Sequence, residues 1–423
     1  MNPTGIESHL KLVLIQWMVI IGVAWFFGRL GKRLGQPLAV GEILAGLLLG
    51  PSALGQIWPQ DWPVLFPMET QQSLQLLGKL GLILLLFQVG MEFDFGHLRS
   101  RSRTVTAVSL MGIVAPMLGG LLIGPWLHRE FAPGTSFFGF QLFVCVALSI
   151  TALPIMGRIL LEMKLERTGL GALSISAAAI DDVIGWVLLA VVTALATSGF
   201  HWTPVFVQVG GIALLFAALI YGVGPWLRSV WRKLAYADGD APGEGLSLPP
   251  SFLALLLVVL FACCLATNIL GVFSIFGAFL LGVALHQEVG LVKAWREKFA
   301  DFVLVALVPI FFTNTGLRTD VGSLETTTQW LGCAAVMLVA TAGKLGGCWI
   351  GARLTGQSQS ESMCIAALMN TRALMGLVAI NIGYELKLLP EELFTMFVIM
   401  ALLTTAMTGP MLRRWLPADV RNA

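Results

Sequence analysis

The stretch SISAAAIDDVIGW, residues 174–186, places two adjacent aspartates inside an apolar run that extends from about residue 168 to 198. A run of this length can cross a bilayer, because a hydrocarbon core of roughly 30 Å needs about 20 helical residues. Asp181 and Asp182 therefore fall near the middle of a membrane. Charged side chains at that depth are costly, and they usually carry ions or protons through the interior of a protein. We interpret this pair as the functional centre.

The composition of the whole chain agrees with a membrane setting. Of the 423 residues, 57% are hydrophobic and only 12% are charged, against about 25% charged in a typical soluble domain. The chain is therefore predicted to be an integral membrane protein. The net charge is only +2 and the basic residues are dispersed, which argues against nucleic-acid binding. The six cysteines lie in apolar runs without metal-ligand spacing, so we expect packing residues and no cofactor.

The hydrophobic pattern predicts an all-α fold of about thirteen transmembrane helices. With the N-terminus outside and the C-terminus in the cytoplasm, most of the 26 Lys and Arg residues fall in cytoplasmic connections, as the positive-inside rule requires. The predicted spans are 12–30, 38–55, 73–91, 105–127, 137–160, 168–198, 203–227, 251–270, 273–287, 300–317, 329–352, 361–384 and 392–414.

Two motifs occur twice in the same order. GEILAGLLL (41–49) is similar to GAFLLGVAL (277–285), and GMEFDFGHL (90–98) is similar to GLRTDVGSL (316–324). We interpret these pairs as two inverted six-helix repeats. The first repeat is residues 1–198 and the second is 251–423, while 199–250 holds a linking span and a cytoplasmic linker. Transport sites in such folds lie at mid-membrane, where discontinuous helices of the two halves meet.

Two segments carry the signs of a broken helix. In ALSITALPIMGRIL, Pro154 removes a backbone donor, and it follows Ser149 and Thr151. For this proline alone, a kinked helix and a broken helix are equally good interpretations. Its repeat partner LMNTRALMGLVAIN holds Asn370, Thr371 and Arg372 in mid-segment, and the two together favour crossing broken helices. Unwound backbone exposes carbonyls that can ligate a cation.

Other charged residues in or near spans leave alternatives open. Lys344 either snorkels to the inner interface or pairs with one aspartate. Neighbouring helical residues point about 100° apart, so the other aspartate would then face a cavity. Arg372 either serves transport or only compensates carbonyls at the break. Glu42 and Glu92 either line an ion route or end helices.

These residues together identify the chain as a member of the monovalent cation:proton antiporter-2 branch of the cation/proton antiporter superfamily. The resemblance covers nearly all of the membrane part. It is carried by GEILAGLLLGP (41–51), LGLILLLFQVGMEFD (80–94), SITALPIMGRIL (149–160), ISAAAIDDVIGW (175–186), GAFLLGVAL (277–285), PIFFTNTGLR (309–318), GKLGGCWIGA (343–352) and MNTRALMGL (369–377).

The resemblance implies thirteen spans, a homodimer and elevator-like alternating access. It matches Asp182 to the ion- and proton-binding carboxylate, Asp181 to its neighbour, and Lys344 to the lysine that pairs with that neighbour. Potassium-efflux relatives often carry Gln at the place of Asp181, and many end in a nucleotide-sensing domain. We expect no attached soluble regulatory domain here. This chain thus differs from the potassium-efflux relatives at the position of Asp181 and in the expected lack of a nucleotide-sensing domain. Both differences favour a sodium/proton exchanger.

We therefore expect electrogenic exchange of Na⁺ or Li⁺ for H⁺ in a bacterial inner membrane. The protein is expected to be a transporter and not an enzyme. Hard cations prefer oxygen ligands, so Asp182, Asp181, Ser149 or Thr151 and unwound carbonyls are the expected sodium ligands. Potassium/proton exchange is the alternative within transport. An intramembrane aspartyl protease and a channel are alternatives from other classes, but adjacent aspartates cannot face each other across a protease substrate.

Overall fold

The computed structural model describes residues 3–36, 38–92, 102–165, 168–197, 202–235, 248–271 and 273–416, and these residues contain helices but no strand. Five-residue π-helical segments lie at Leu219–Val223, Arg296–Ala300 and Val303–Leu307. The α-helices are α1 Pro3–Arg33, α2 Leu38–Leu49, α3 Leu54–Ile57, α4 Trp62–Leu65, α5 Met68–Met91, α6 Ser102–Phe131, α7 Phe137–Ser149, α8 Leu153–Glu162, α9 Gly169–Thr197, α10 Trp202–Ala218, α11 Gly224–Ala235, α12 Pro250–Ile269, α13 Ser274–Leu285, α14 Val289–Trp295, α15 Val308–Leu317, α16 Thr327–Leu354, α17 Gln359–Met369, α18 Ala373–Glu385 and α19 Glu391–Trp415.

Within the described ranges, nine helices are long and apolar enough to cross a membrane, and eleven spans result if each of two bent pairs counts as one. These eleven coincide with predicted spans. The other two predictions, 137–160 and 273–287, fall on shorter helices: α7 with α8, and α13. α13 has 12 residues, and at 1.5 Å per residue it is about 18 Å long, less than the hydrocarbon core. The count of thirteen therefore stays a prediction for these two segments.

The contacts divide the chain into two compact units that interleave along the sequence. The first unit is Met1–Ile21, Pro67–Asp94 and Thr193–Phe312; the second is Gly22–Phe66, Phe95–Val192 and Thr313–Ala423. The predicted division into 1–198, 199–250 and 251–423 follows the sequence repeats, whereas the two compact units are defined by contacts. That division stays a prediction.

Glycines of the repeated motifs make corresponding contacts in each unit. In the second unit a Cβ added to Gly316 would overlap the backbone of Gly46. In the first unit a Cβ added to Gly282 would lie 2.9 Å from the Cα of Gly90. The first motif of each copy thus meets the second motif of the other copy. This exchange supports the predicted repeat.

Close packing of α6 on α16 positions the lysine of the second unit. Gly347 and Gly351 lie one turn apart on α16, and a Cβ on either would meet backbone atoms of α6. Glycines spaced by four residues allow two membrane helices to approach backbone to backbone. α16 begins with a capping box in which Thr326 and Gln329 bond each other's backbone N–H groups, which satisfies donors that the helix itself leaves free. Lys344 lies on the packed part of this helix and is fully buried.

Candidate functional site

Two interrupted helices meet in the second unit. α7 ends at Ser149 and α8 begins at Leu153, while α17 ends at Met369 and α18 begins at Ala373. The backbone N–H of Ala152 donates to the carbonyl of Thr371 at 2.7 Å. Thr151 Oγ1 donates to the carbonyl of Met369 at 3.0 Å. The two breaks therefore bond each other directly, as the crossing interpretation requires.

Pro154 occupies the second position of α8, after the break and not within it. A proline is tolerated in the first helical turn, where its missing N–H has no intrahelical partner. The interruption itself lies at residues 150–152. Pro154 thus lies in the first turn of the second half-helix.

Two cations satisfy carbonyls at the end of α7. The last carbonyls of a helix lack intrahelical partners and form the negative end of its dipole. Arg372 Nη1 donates to the carbonyl of Leu148, and Lys344 Nζ donates to the carbonyl of Ser149. Arg372 Nη2 also bonds the carbonyl of Ala340 on α16 at 2.8 Å. Both side chains are fully buried, so these bonds offset much of the cost of interrupting α7 inside a membrane.

The start of α18 is satisfied by a residue that sequence reasoning missed. Thr405 Oγ1 on α19 accepts bonds from the backbone N–H groups of Arg372 and Ala373, at 3.1 and 3.0 Å. The same hydroxyl donates to the carbonyl of Ala401. A threonine that bonds its own helix in this way carries no sequence signal for a distant partner. Only the tertiary arrangement reveals its role.

Asp181 pairs with Lys344. The distance from Lys344 Nζ to Asp181 Oδ2 is 3.0 Å, and both side chains are fully shielded from solvent. Of the two interpretations of Lys344, the ion pair is therefore the one present, and the lysine does not snorkel. Asp181 Oδ1 accepts no hydrogen bond from the described residues.

Asp182 points to a different neighbourhood from Asp181. Its side chain is buried, and the backbone N–H of Leu153 at the start of α8 interacts with it. The positive end of a helix dipole favours a carboxylate at that place. Within the described part of the chain, neither oxygen of Asp182 accepts a hydrogen bond of ordinary geometry. One carboxylate is thus held by a lysine, while the other keeps its oxygens available.

A small cavity adjoins Asp182. Its volume is about 10 Å³, roughly the room that one water molecule needs. Among the described residues, Asp182 is the only charged one that lines it. The other lining residues are Ile150, Gly185, Trp186, Leu189 and Met375. None of these residues was predicted to line a cavity. Apolar residues at helical spacing give no sequence signal that tells which cavity they will enclose.

The remaining predicted polar residues of the breaks lie close by. Ser149 Oγ donates to the carbonyl of Val146 at 2.8 Å, and Thr371 Oγ1 donates to that of Leu368. Asn370 is fully buried, and neither polar atom of its side chain has a hydrogen-bond partner among the described residues. Hydroxyl oxygens that donate one bond still carry lone pairs. Ser149 and Thr151 can therefore still serve as ligands.

The two glutamates for which the sequence left open an ion route or a helix end are not part of this cluster. Glu42 lies on α2, is partly buried and does not line the cavity. Glu92 directly follows α5 in the other unit and accepts a bond from Gln88 Nε2 at 3.2 Å. Across the described residues, no group of three or more His, Cys, Asp or Glu side chains is placed to hold a metal ion.

Comparison with known proteins identifies the family. The family profile described as "sodium/hydrogen exchanger, transmembrane" matches residues 19–417. The chain belongs to the sodium/hydrogen exchanger family. This exchanger is thus a multi-pass membrane transporter, and the predicted antiporter family is confirmed.

Individual relatives support the assignment. The exchanger is 36% identical over 413 residues to the Na⁺/H⁺ antiporter NhaS4 of Synechocystis sp., covering 97% of this chain and 98% of that protein. It is 28% identical over 423 residues to K⁺/H⁺ antiporter 1 of Saccharomyces cerevisiae, where it covers 98% of this chain but only 48% of that protein. The chain thus spans about half the length of the yeast relative.

A solved structure confirms the predicted fold. The exchanger superposes on the sodium proton antiporter MjNhaP1 from Methanocaldococcus jannaschii with a TM-score of 0.65 and 14% identity, covering 98% of this chain and 99% of that one. At this level of identity the likeness concerns the fold alone. The all-helical antiporter fold expected from the sequence is therefore correct.

Proposed function

We propose that the exchanger moves Na⁺ or Li⁺ against H⁺ by competition at Asp182. The observation that supports this most directly is a buried carboxylate whose oxygens bond no side chain of the described residues and which adjoins a cavity of one-water size. A carboxylate removed from water is stable only when it is neutralised or paired. A proton and a small cation can each do this, but not both at once. Their mutual exclusion at one site couples the two fluxes.

The ion pair of Asp181 with Lys344 would make the exchange electrogenic. When a cation binds between the aspartates, Asp181 turns from the lysine to the cation, and Lys344 releases its proton. Two protons then move for each cation, and one net charge crosses the membrane. The 3.0 Å contact between Lys344 Nζ and Asp181 Oδ2 is the pairing that the proton-loaded half of this cycle requires.

The setting proposed for this cycle follows the sequence. The N-terminus lies outside and the C-terminus lies in the cytoplasm of a bacterial inner membrane, and the distribution of basic residues supports that orientation. The exchanger forms a homodimer and presents the site to each face by an elevator-like movement.

The cation series tests the proposal. In sealed proteoliposomes with an imposed pH gradient, Na⁺ and Li⁺ are expected to collapse the gradient, while choline is not. A one-water cavity and a pair of carboxylates favour a small, strongly polarising cation, so K⁺ should act more weakly. Potassium exchange remains the second candidate because the yeast relative is a K⁺/H⁺ antiporter. A gradient that K⁺ collapses faster than Na⁺ would decide for that candidate.

The walls of the cavity should set the preference among cations. Met375→Ala widens the cavity beside Asp182, and we expect the K⁺/Na⁺ transport ratio to rise about tenfold, the low end of what a small change in pocket size achieves. Gly185→Ala should lower that ratio, because its Cβ would lie 3.3 Å from Ile150 Cγ1 and narrow the space. Met375→Leu, which keeps the volume, is the matched control. Equal ratios in all three variants, measured in the same liposome assay, would contradict the expectation.

A further inference from the structure

The asparagine that follows α17 is buried at a cost that the fold does not repay. Asn370 is 0% exposed, and neither Oδ1 nor Nδ2 of its side chain bonds any of the described residues. An amide that is removed from water without hydrogen bonds lowers the stability of the folded protein. Groups that break this rule are expected at functional sites, where the loss of stability is offset by a contribution to activity.

Another asparagine of the same unit shows the usual arrangement. The Asn381 side chain on α18 is also buried, but its Nδ2 donates to Thr315 Oγ1 at 3.0 Å and to the carbonyl of Leu377 at 2.9 Å. Its Oδ1 accepts from Arg318 Nη1 at 3.2 Å. Burial between these helices therefore does not by itself deprive an amide of partners. The lack of partners is particular to Asn370.

The two interrupted helices are completed by different kinds of donor. The end of α7 receives two cations, Lys344 and Arg372. At the end of α17, every donor from the described residues to the last four carbonyls is neutral. These donors are the backbone N–H groups of Asn370 and Thr371 and the hydroxyls of Thr151, Thr371 and Thr408. The end of α17 is the negative pole of a helix dipole, which a cation stabilises.

The end of α17 lies next to the segment that also meets Asp182. The N–H of Ala152 donates to the carbonyl of Thr371, the residue after Asn370, at 2.7 Å. The N–H of the following residue, Leu153, interacts with Asp182. Asn370 and Asp182 therefore flank the same two consecutive residues of the first break. A cation at Asp182 is thus close to the negative pole of α17.

We propose that the side-chain oxygen of Asn370 is a neutral ligand of the transported cation. This inference rests on the proposed exchange at Asp182 and adds a residue that acts on one of the two competing ions. An amide oxygen is a hard ligand and suits Na⁺ or Li⁺. It carries no proton and does not titrate. Asn370 therefore strengthens the binding of the cation and leaves the binding of the proton to Asp182.

Two asparagine-to-leucine variants test this proposal. Asn370→Leu removes the amide and keeps a side chain of similar length, and Asn381→Leu is the matched control. In proteoliposomes, Asn370→Leu is expected to raise the KM for Na⁺ at least about tenfold, since a polar contact with a charged group is lost, while the maximal rate changes less. Its melting temperature should equal or exceed that of the wild type. Asn381→Leu should melt at a lower temperature and keep the wild-type KM.

A wild-type KM in Asn370→Leu would overturn the inference. A KM that rises by the same factor in both variants, or a loss of melting temperature in Asn370→Leu as large as in Asn381→Leu, would assign Asn370 to the fold and overturn it too. If Asn370→Leu does not fold, Asn370→Ala replaces it under the same criteria. If a variant folds but gives no flux, the rise of its melting temperature with NaCl, compared with choline chloride, reports Na⁺ binding and should need about tenfold more salt.

Asp182→Asn in the same assay separates this inference from the proposed function. Exchange that persists in Asp182→Asn would reject competition at Asp182. An inactive Asp182→Asn protein together with a wild-type KM in Asn370→Leu would reject only the role of Asn370. If the wild type exchanges K⁺ faster than Na⁺, the same comparison is made with the KM for K⁺.

Discussion

Replacing Asp182 with asparagine is expected to abolish Na⁺/H⁺ exchange in proteoliposomes while leaving the protein folded. Asparagine keeps the shape of the side chain and its oxygen can still interact with the Leu153 N–H, but it neither releases a proton nor neutralises a cation. Because a buried charge with few partners costs stability, its removal should raise the melting temperature or leave it unchanged. Flux is followed as the collapse of an imposed pH gradient by Na⁺.

The control for this change is Asp61→Asn, at an exposed aspartate that precedes α4. It should transport like the wild type. An Asp182→Asn protein that exchanges at a rate close to the wild type would remove Asp182 from the mechanism. An inactive protein that also melts at a much lower temperature would show that the change damaged the fold instead of the site.

Lys344→Gln is expected to lower the free energy of unfolding by about 3–5 kcal/mol, because it leaves Asp181 as a buried charge without its partner. The double variant Asp181→Asn with Lys344→Gln should recover most of that loss, since neither charge then remains. It should also still exchange one proton per sodium through Asp182. Its rate is therefore expected to be indifferent to a clamped membrane potential, whereas the rate of the wild type follows the potential.

Melting temperatures and valinomycin-clamped flux check these two expectations separately. A Lys344→Gln protein as stable as the wild type would mean that the ion pair contributes little to the fold. A double variant whose rate still follows the potential would mean that Lys344 does not carry the second proton. Either result leaves the role of Asp182 untouched.

The sequence predicted the fold in some detail because its strongest signals are physical necessities. Apolar runs must cross the bilayer, so eleven of the thirteen predicted spans coincide with spans in the structure. Asp181, Asp182 and Lys344 stood out because a charge at mid-membrane is expensive. Arg372 stood out for the same reason, and the structure shows what it bonds.

Other parts of the site left no such signal. Thr405 and Met375 lie in ordinary helical sequence, and their roles depend on which half-helix ends beside them. Asp181 and Asp182 are distinguished in the sequence only through the family resemblance, and the structure shows that Asp181 is the one that meets Lys344. Helix length was also hard to judge: every residue of α13 after Ser274 is buried, although the helix is shorter than the hydrocarbon core.

The glycine contact of α6 with α16 has a mechanical consequence. Where two backbones touch without intervening side chains, sliding one past the other would drive carbonyls into Cα atoms, so the pair resists shear. Any displacement that carries Lys344 and Asp181 toward either face of the membrane must therefore carry α6 together with α16. If the proposed elevator-like movement takes place, α6 and α16 would move as one rigid body together with the Lys344–Asp181 ion pair, and the bending would occur outside this helix pair.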